Sequence, residues 1–369
     1  MLTAGVLTRT YYDTATIPQE ASISIISGTA LVKGVRERQW SSISDDDVIE
    51  LGDSILTNES SQVFLRLFDG STLQVLSASE VRFRRMALSK KEPREESIEL
   101  EIVKGKAHVG VAVPYGREKQ FLLNMGTSSA YLEEGSYTVV GEDQGWQLRV
   151  GPAGSAKVVA TGSEAFLLPD QRVEVSKAGV VGEMQAAWEE IVFNGDLSRG
   201  LAGWQQGGDI TQEGSSTGIV KLLLDSGKPA IHFARSGSSG SHGETYIYQE
   251  INRDVSDLAD LRLAMDLKII DHQLSGGGYI GSEYPVAIRL NYRTADGDRT
   301  AVYGFYTHND AGNRTDNGQQ VIGGYWIEYT HPGNLMALNP RPQKITSIQI
   351  GGSGWDYESM IREITITGK

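Results

Sequence analysis

The sequence predicts an all-β protein of two domains, and three observations lead to this prediction. Apolar and polar residues alternate along most of the chain, as they do in strands that bury one face. Short alternating runs are separated by Gly, Asp and Ser, which favour tight turns. The 369 residues are enough for two domains of about 100–200 residues each. Short strands of this kind build sandwiches, barrels or solenoids.

The first half contains a clear hairpin pattern. Asp69-Gly70-Ser71 lies between two alternating runs, and Gly accepts the positive φ that a tight turn requires. The same pattern predicts a second turn at Lys104-Gly105-Lys106. The strands predicted in this half are Val63–Phe68, Thr72–Leu76, Ile98–Val103, Ala107–Val113, Tyr137–Val140 and Gln147–Val150.

A short helix is predicted between the two halves, over residues 182–191. Met184, Ala187 and Ile191 have the spacing of one helix face, among good helix formers. We therefore predict an N-terminal extension (1–24), a β domain (25–181), a helical linker (182–191) and a second β domain (192–369). The second domain suits a jelly-roll sandwich. Its predicted strands are Glu244–Ile251, Leu261–Ile269, Val286–Tyr292, Ile345–Ile350 and Ile361–Thr367.

Composition excludes several classes of function. The chain has no cysteine, which rules out disulfide scaffolds, cysteine-ligated metals and thiol nucleophiles. Lys and Arg number 34 against 47 Asp and Glu, and the net charge of −13 argues against sequence-independent nucleic-acid binding. The histidines lack ligand spacing, and neither a G-x-S-x-G elbow nor a phosphate loop is present. We therefore expect a protein that is not an enzyme.

The first half resembles the FecR family domain, the extracytoplasmic part of bacterial anti-sigma regulators and of related surface proteins. The resemblance covers about residues 25–180. Its motifs are Gly52–Thr57 (GDSILT), Asp69–Leu73 (DGSTL) and Gly105–Ala107 (GKA), in that order. It implies an extracytoplasmic location, in the periplasm or at the cell surface. The resemblance further implies either a membrane helix N-terminal to residue 1 in the native protein or a surface protein that reuses the domain. It also implies a protein partner for this domain.

The second half is similar to galactose-binding-like jelly rolls of the carbohydrate-binding-module type, over about residues 192–369. The similarity lies in the opening segment Phe193–Trp204, in Tyr248–Ile251 and in the closing segment Gly354–Ser359. Leu197 and Ser198 depart from the aromatic and acidic residues usual in the opening segment. The resemblance implies a glycan or another envelope component as ligand.

Sugar binding requires aromatic faces and planar polar side chains. Alternation places Trp326 and Glu328 on one face of their predicted strand, and the aromatic run that ends at Tyr306 is a candidate neighbouring strand. The candidate ligand-binding residues are Trp326, Glu328, Tyr306, Arg289 and Asn291. Closely spaced loop carboxylates make calcium a candidate cofactor. Its candidate ligands are Asp296, Asp298, Asp310 and Asp316. The same residues are also typical of loops, and the twelve-residue EF-hand pattern is missing.

These observations predict a non-catalytic sensing or binding protein. The leading hypothesis is the ectodomain of a FecR-type, anti-sigma-like regulator whose jelly roll binds a glycan or envelope ligand. A second hypothesis is a structural cell-surface or assembly protein that uses both domains for protein–protein contacts. A glycan-active enzyme is a minor third hypothesis.

Overall fold

The computed structural model describes residues 15–45, 47–90, 95–113, 116, 118–210 and 216–369. The chain divides into two compact units, the first ending at Trp188 and the second comprising Glu189–Gly368. Over the described ranges the regular structure consists of β-strands and one 3₁₀ turn, Leu335–Ala337, which confirms the all-β prediction. No helix in that part of the chain is long and apolar enough to cross a membrane.

The strands of the first unit are short, with one exception of sixteen residues. They are β1 (Thr16–Pro18), β2 (Ala21–Ser27), β3 (Ala30–Lys33), β4 (Ser41–Ser42), β5 (Val48–Ile49), β6 (Ser54–Thr57), β7 (Gln62–Leu67), β8 (Thr72–Val75), β9 (Glu80–Ser89), β10 (Glu96–Val111), β11 (Lys119–Met125), β12 (Ser128–Leu132), β13 (Gly135–Glu142), β14 (Gly145–Val150), β15 (Ala156–Ala160), β16 (Ser163–Leu167), β17 (Gln171–Ser176) and β18 (Gln185–Ala186).

These strands form two sheets that share β10. One sheet has the order β4-β3-β6-β9-β10-β11-β12-β15-β16, with β1 also paired to β9. The other has the order β5-β2-β7-β8-β10-β13-β14-β17-β18. Their buried side chains form one apolar cluster, which includes Leu65, Leu73, Phe83, Phe121 and Val139.

The predicted hairpin is confirmed. Strands β7 and β8 pair antiparallel, and Val63 lies opposite Val75. In the turn, the backbone N–H of Ser71 donates to Asp69 Oδ1 at 3.0 Å, and the Ser71 hydroxyl donates to Oδ2 at 2.6 Å. Asp69 is therefore a turn residue, as its position before a glycine indicates.

The predicted turn at 104–106 is wrong, because β10 continues through it. Gly105 has φ +84°, and at this residue the strand passes from the first sheet to the second. A Cβ atom on Gly105 would lie 2.5 Å from Ser79 Cα and 2.7 Å from the Ala78 carbonyl oxygen. The glycine therefore permits both a left-handed backbone and a close approach to the backbone of Ala78 and Ser79, where the sequence pattern predicts a reversal.

The predicted helix over 182–191 is also wrong. Gln185–Ala186 forms β18 against β17, and Glu189–Glu190 forms β19 against the last strand of the second unit. Met184 is exposed whereas Ala187 is buried, so these residues do not share a buried face. Ten residues are too few for a helix that is stable by itself, and pairing with existing strands satisfies the same backbone groups.

The second unit is a sandwich of two sheets. Its strands are β19 (Glu189–Glu190), β20 (Gln205–Ile210), β21 (Ile219–Asp225), β22 (Lys228–Arg235), β23 (Gly243–Asp254), β24 (Leu261–His272), β25 (Val286–Thr294), β26 (Gly297–Tyr306), β27 (Gly318–Gln320), β28 (Ile327–Thr330), β29 (Lys344–Gly354) and β30 (Tyr357–Gly368). All five predicted strands of this half are present.

We name the two sheets of the second unit by their strands. The β24 sheet has the order β21-β22-β30-β24-β28, with β19 paired to β30; the β25 sheet has the order β20-β23-β29-β25-β26-β27. Apolar side chains from both sheets fill the core, among them Phe233, Leu267, Ile288, Phe305 and Ile350. The polar residues that alternate with them lie on the outer faces.

A buried ion pair lies next to the β7–β8 turn of the first unit. Lys119 Nζ is 2.6 Å from Asp69 Oδ2, and the two side chains are 5% and 0% exposed. The ammonium also donates to the Ala112 carbonyl oxygen at 2.7 Å. Lys119 thus neutralises a carboxylate that the turn places away from water.

Replacing Lys119 by Met should destabilise the first unit by about 3–5 kcal/mol, because Asp69 would keep a buried charge without its partner. Urea unfolding measures this loss. Lys157→Met is the matched control, since the Lys157–Glu164 pair is largely exposed and is worth less than about 1 kcal/mol. Equal losses in the two variants would contradict the prediction.

Gly105→Ala tests the role of the sheet crossing. It should cost about 1–2 kcal/mol for the left-handed φ and a further ~1–3 kcal/mol for the contact with Ser79. Gly162→Ala should cost only the first amount, since Gly162 has φ +76° and, among the described residues beyond its chain neighbours, no heavy atom lies within 4 Å of the position that a Cβ atom would take. Similar unfolding free energies for both variants would refute the steric explanation.

A buried histidine connects the two sheets of the second unit at one end. His272 Nδ1 lies 2.6 Å from the Leu274 carbonyl oxygen, so this nitrogen donates. Nε2 accepts from the Thr307 backbone N–H at 3.0 Å. The ring is therefore neutral, and burial, aided by the nearby His308, lowers the pKa of His272 below 6.5.

This lowered pKa predicts a pH dependence of stability. The full contribution of His272 to the free energy of unfolding is present above about pH 6.5, the pKa of a histidine in the unfolded chain. This contribution decreases as the pH falls toward the lower pKa of the folded protein, because the unfolded chain binds the proton more readily. His272→Gln should therefore flatten the curve of unfolding free energy between neutral and mildly acidic pH. Parallel curves for the variant and the parent protein would contradict this assignment.

Candidate functional site

The outer face of the β25 sheet carries rows of polar and aromatic side chains. Directly opposite residues share a face in antiparallel pairs, so strand register defines these rows. One row is Tyr248, Gln349, Arg289 and Val302, and the next is Glu250, Ser347, Asn291 and Thr300. The register thus brings residues that are distant in sequence onto one surface.

An open groove of about 660 Å³ lies on this face. Its lining is mainly hydroxyl, amide and charged side chains, with one aromatic ring. The lining residues are Tyr248, Glu250, Asn252, Asn291, Arg293, Asp298, Arg299, Thr300, Thr346 and Ser347. A groove of this composition matches a polar ligand with many hydroxyl groups.

Hydrogen bonds hold the polar side chains of the groove in place. Asn291 Nδ2 donates to Ser347 Oγ at 2.9 Å, and Thr300 Oγ1 donates to Asn291 Oδ1 at 2.7 Å. In the neighbouring row, Arg289 makes a bidentate pair with Glu244, with N–O distances of 2.6 and 3.0 Å. These side chains are therefore preorganised, which lowers the entropic cost of binding.

Two tyrosines that sequence reasoning missed lie side by side on β23. Tyr246 packs over Gly207, where a Cβ atom would lie 2.5 Å from the ring. Tyr248 donates its hydroxyl proton to Glu250 Oε1 at 3.2 Å, and burial together with the Glu250 carboxylate raises the pKa of Tyr248. The signal was present in the sequence as two tyrosines two residues apart in a predicted strand.

Trp326 and Glu328 lie on the other sheet. Glu328 is an exposed residue of β28, and Trp326 is half-buried just before that strand. Trp326 Nε1 donates to Asp225 Oδ2 at 2.5 Å, which holds the pKa of that carboxyl low. The Arg362 guanidinium lies 4.0 Å from the ring centroid and occupies one side of the indole.

The five predicted ligand-binding residues are therefore not one cluster. Arg289 and Asn291 lie together on the β25 sheet, and Tyr306 ends β26 of that sheet. The prediction that the strand of Tyr306 neighbours that of Trp326 is wrong, because β28 pairs with β24. Sequence alternation gives the face of a strand but not the sheet to which it belongs.

Three of the predicted calcium ligands, Asp296, Asp310 and Asp316, lie in loops of the second unit, and Asp298 lies at the start of β26. Asp298 pairs with Arg293 at 2.9 Å, and Asp316 pairs with Arg314 at 2.6 Å. Arg293 lowers the pKa of Asp298. Asp296 and Asp310 are exposed. In the part of the chain that the structure describes, no group of three or more acidic or histidine side chains could hold a metal. Calcium binding stays a prediction.

No family model matches the chain, and no curated protein does. Solved structures with some similarity include a protein designated an anti-sigma factor from Parabacteroides distasonis, with 19% identity and a TM-score of 0.29. That alignment covers 36% of this chain and 59% of the other, so this chain spans less than two thirds of its length.

Carbohydrate-binding modules of Clostridium thermocellum cellulosomal cellulases are also among the similar structures. The family 11 module of Lic26A-Cel5E has 12% identity and a TM-score of 0.27, over 47% of this chain and 92% of the module. A family 30 module has 13% identity and a TM-score of 0.25, over 45% and 90%. The structural neighbours thus include both kinds of protein, at low TM-score.

Proposed function

We propose that the second unit binds a glycan chain along the outer face of its β25 sheet. The observation that carries this proposal is the open polar groove with Tyr248 at its side and Asn291 held by hydrogen bonds within it. The tyrosine ring offers an apolar surface to the C–H groups of a sugar, and the amide offers both a donor and an acceptor to its hydroxyl groups.

We further propose that the whole protein is a non-catalytic binding protein of the bacterial envelope. The FecR-like motifs of the first half support an extracytoplasmic regulator, in which this unit relays or scaffolds and the jelly roll engages the ligand. Fractionation of cells that express the native gene tests the location. Recovery in the cytosol would exclude this role.

Tyr248→Ala and Asn291→Ala should each weaken glycan binding about tenfold or more, a loss of about 1.4 kcal/mol per tenfold. Affinity electrophoresis through gels that contain soluble polysaccharides, after a glycan array has identified a binder, measures this loss. Trp326→Phe is the control, because Trp326 belongs to the other sheet. The bound glycan should release no new reducing ends on incubation.

Two outcomes would contradict the proposal in different ways. Loss of binding in Trp326→Phe but not in Tyr248→Ala would move the site to the β24 sheet. Failure of the parent protein to bind any polysaccharide would exclude glycan binding altogether.

A further inference from the structure

The edge strand β21 of the second unit is unusually apolar. Its sequence is Ile219-Val220-Lys221-Leu222-Leu223-Leu224-Asp225, and it ends the β24 sheet. Within the described residues, β22 is the only strand that pairs with it. Ile219 is 43% exposed, Leu222 39% and Leu224 73%. A seven-residue, largely apolar edge strand is a surface on which another strand can pair.

Soluble proteins commonly protect such an edge with charged side chains, proline or a bulge. Strand β21 has no proline, and its register with β22 is unbroken from Ile219, opposite Ala234, to Asp225, opposite Lys228. Lys221 is the one positive charge along it. The edge therefore has the regular geometry that strand pairing requires, together with side chains that pairing would remove from water.

The charges of β21 are complementary to those of a second, antiparallel copy. A two-fold axis perpendicular to the sheet places a residue opposite itself, and residues equally far on either side opposite each other. An axis through Leu223 places Lys221 opposite Asp225, twice, and Leu222 opposite Leu224, twice. An axis through Leu222 instead places Lys221 opposite Leu223, which leaves the ammonium group without a charged partner across the axis. An axis through Lys221 places the two copies of Lys221 opposite each other, so that two positive charges meet.

We propose that β21 is a homodimerisation surface, and that two copies of the chain pair antiparallel through this strand with the two-fold axis at Leu223. The pairing extends the β24 sheet across both copies and covers Leu222 and Leu224. It does not depend on the glycan-binding proposal, because the groove lies on the β25 sheet.

Sedimentation velocity and light scattering over a wide range of concentration test the dimer. The parent chain should sediment as a dimer that dissociates on dilution, and Leu223→Lys should be monomeric, because two ammonium groups would meet at the axis. Ile322→Lys is the matched control, since Ile322 is 68% exposed outside the strands and should leave the dimer intact. A parent chain that is monomeric at every concentration would overturn the proposal.

The charge pattern tests the register without disturbing the apolar residues. Lys221→Glu would place two carboxylates opposite each other and should abolish the dimer, whereas Lys221→Arg should retain it. Circular dichroism and the unfolding temperature verify that each variant folds. A dimer that persists in both Leu223→Lys and Lys221→Glu would show that another surface is responsible, and the proposal would fail.

The absence of cysteine from the chain allows a direct test of the axis. Leu223→Cys introduces a single thiol whose partner across the axis has a Cβ atom about 4.5–5.5 Å away, close to the separation that a disulfide requires. Mild oxidation should convert this variant to a covalent dimer, and Ile322→Cys should remain monomeric on a non-reducing gel. Equal cross-linking of both variants would indicate random collision and contradict the register.

Discussion

The burial of one face of each sheet is the constraint on which the rest of the second unit depends. Phe233 and Leu267 from the β24 sheet pack with Ile288 and Ile350 from the β25 sheet, and the core leaves no space for the residues that alternate with them. Those residues must therefore lie on the outer faces, where they meet neighbours from other strands. The polar groove is a consequence of this packing, because Tyr248, Ser347 and Asn291 line one groove only through the register of three strands.

The same arrangement leaves each sheet, within the described residues, with terminal strands that have a neighbouring strand on one side only. A sandwich of open sheets exposes the backbone of its terminal strands. In the β24 sheet one of the two terminal strands is β21, in which Leu222 and Leu224 are exposed to water. The groove and the edge thus belong to different sheets, so the proposed glycan site and the proposed dimer surface do not overlap.

Sequence patterns predicted the features that depend on interactions between residues close together in the chain. The β7–β8 hairpin follows from alternation and from an Asp-Gly turn whose hydrogen bonds span two residues. Gly105 shows the limit of this reasoning, since its positive φ serves a strand that crosses between sheets, and only its contact with Ser79, just before β9, reveals why. Residues 182–191 have good helix propensity but become extended, because strand partners satisfy their backbone and propensity is a weak preference in a short segment.

The sequence by itself determined the all-β class, several strands of both halves, and the position of Arg289 and Asn291 on one face of their strand. Only the tertiary structure decided which sheet each strand joins. It separated Trp326 from Arg289 by assigning β28 to the β24 sheet, and it placed Tyr248 and Asn291 in the lining of one groove. The physical reason is that alternation reports burial along one strand, whereas a binding surface depends on pairing between strands that are far apart in the chain.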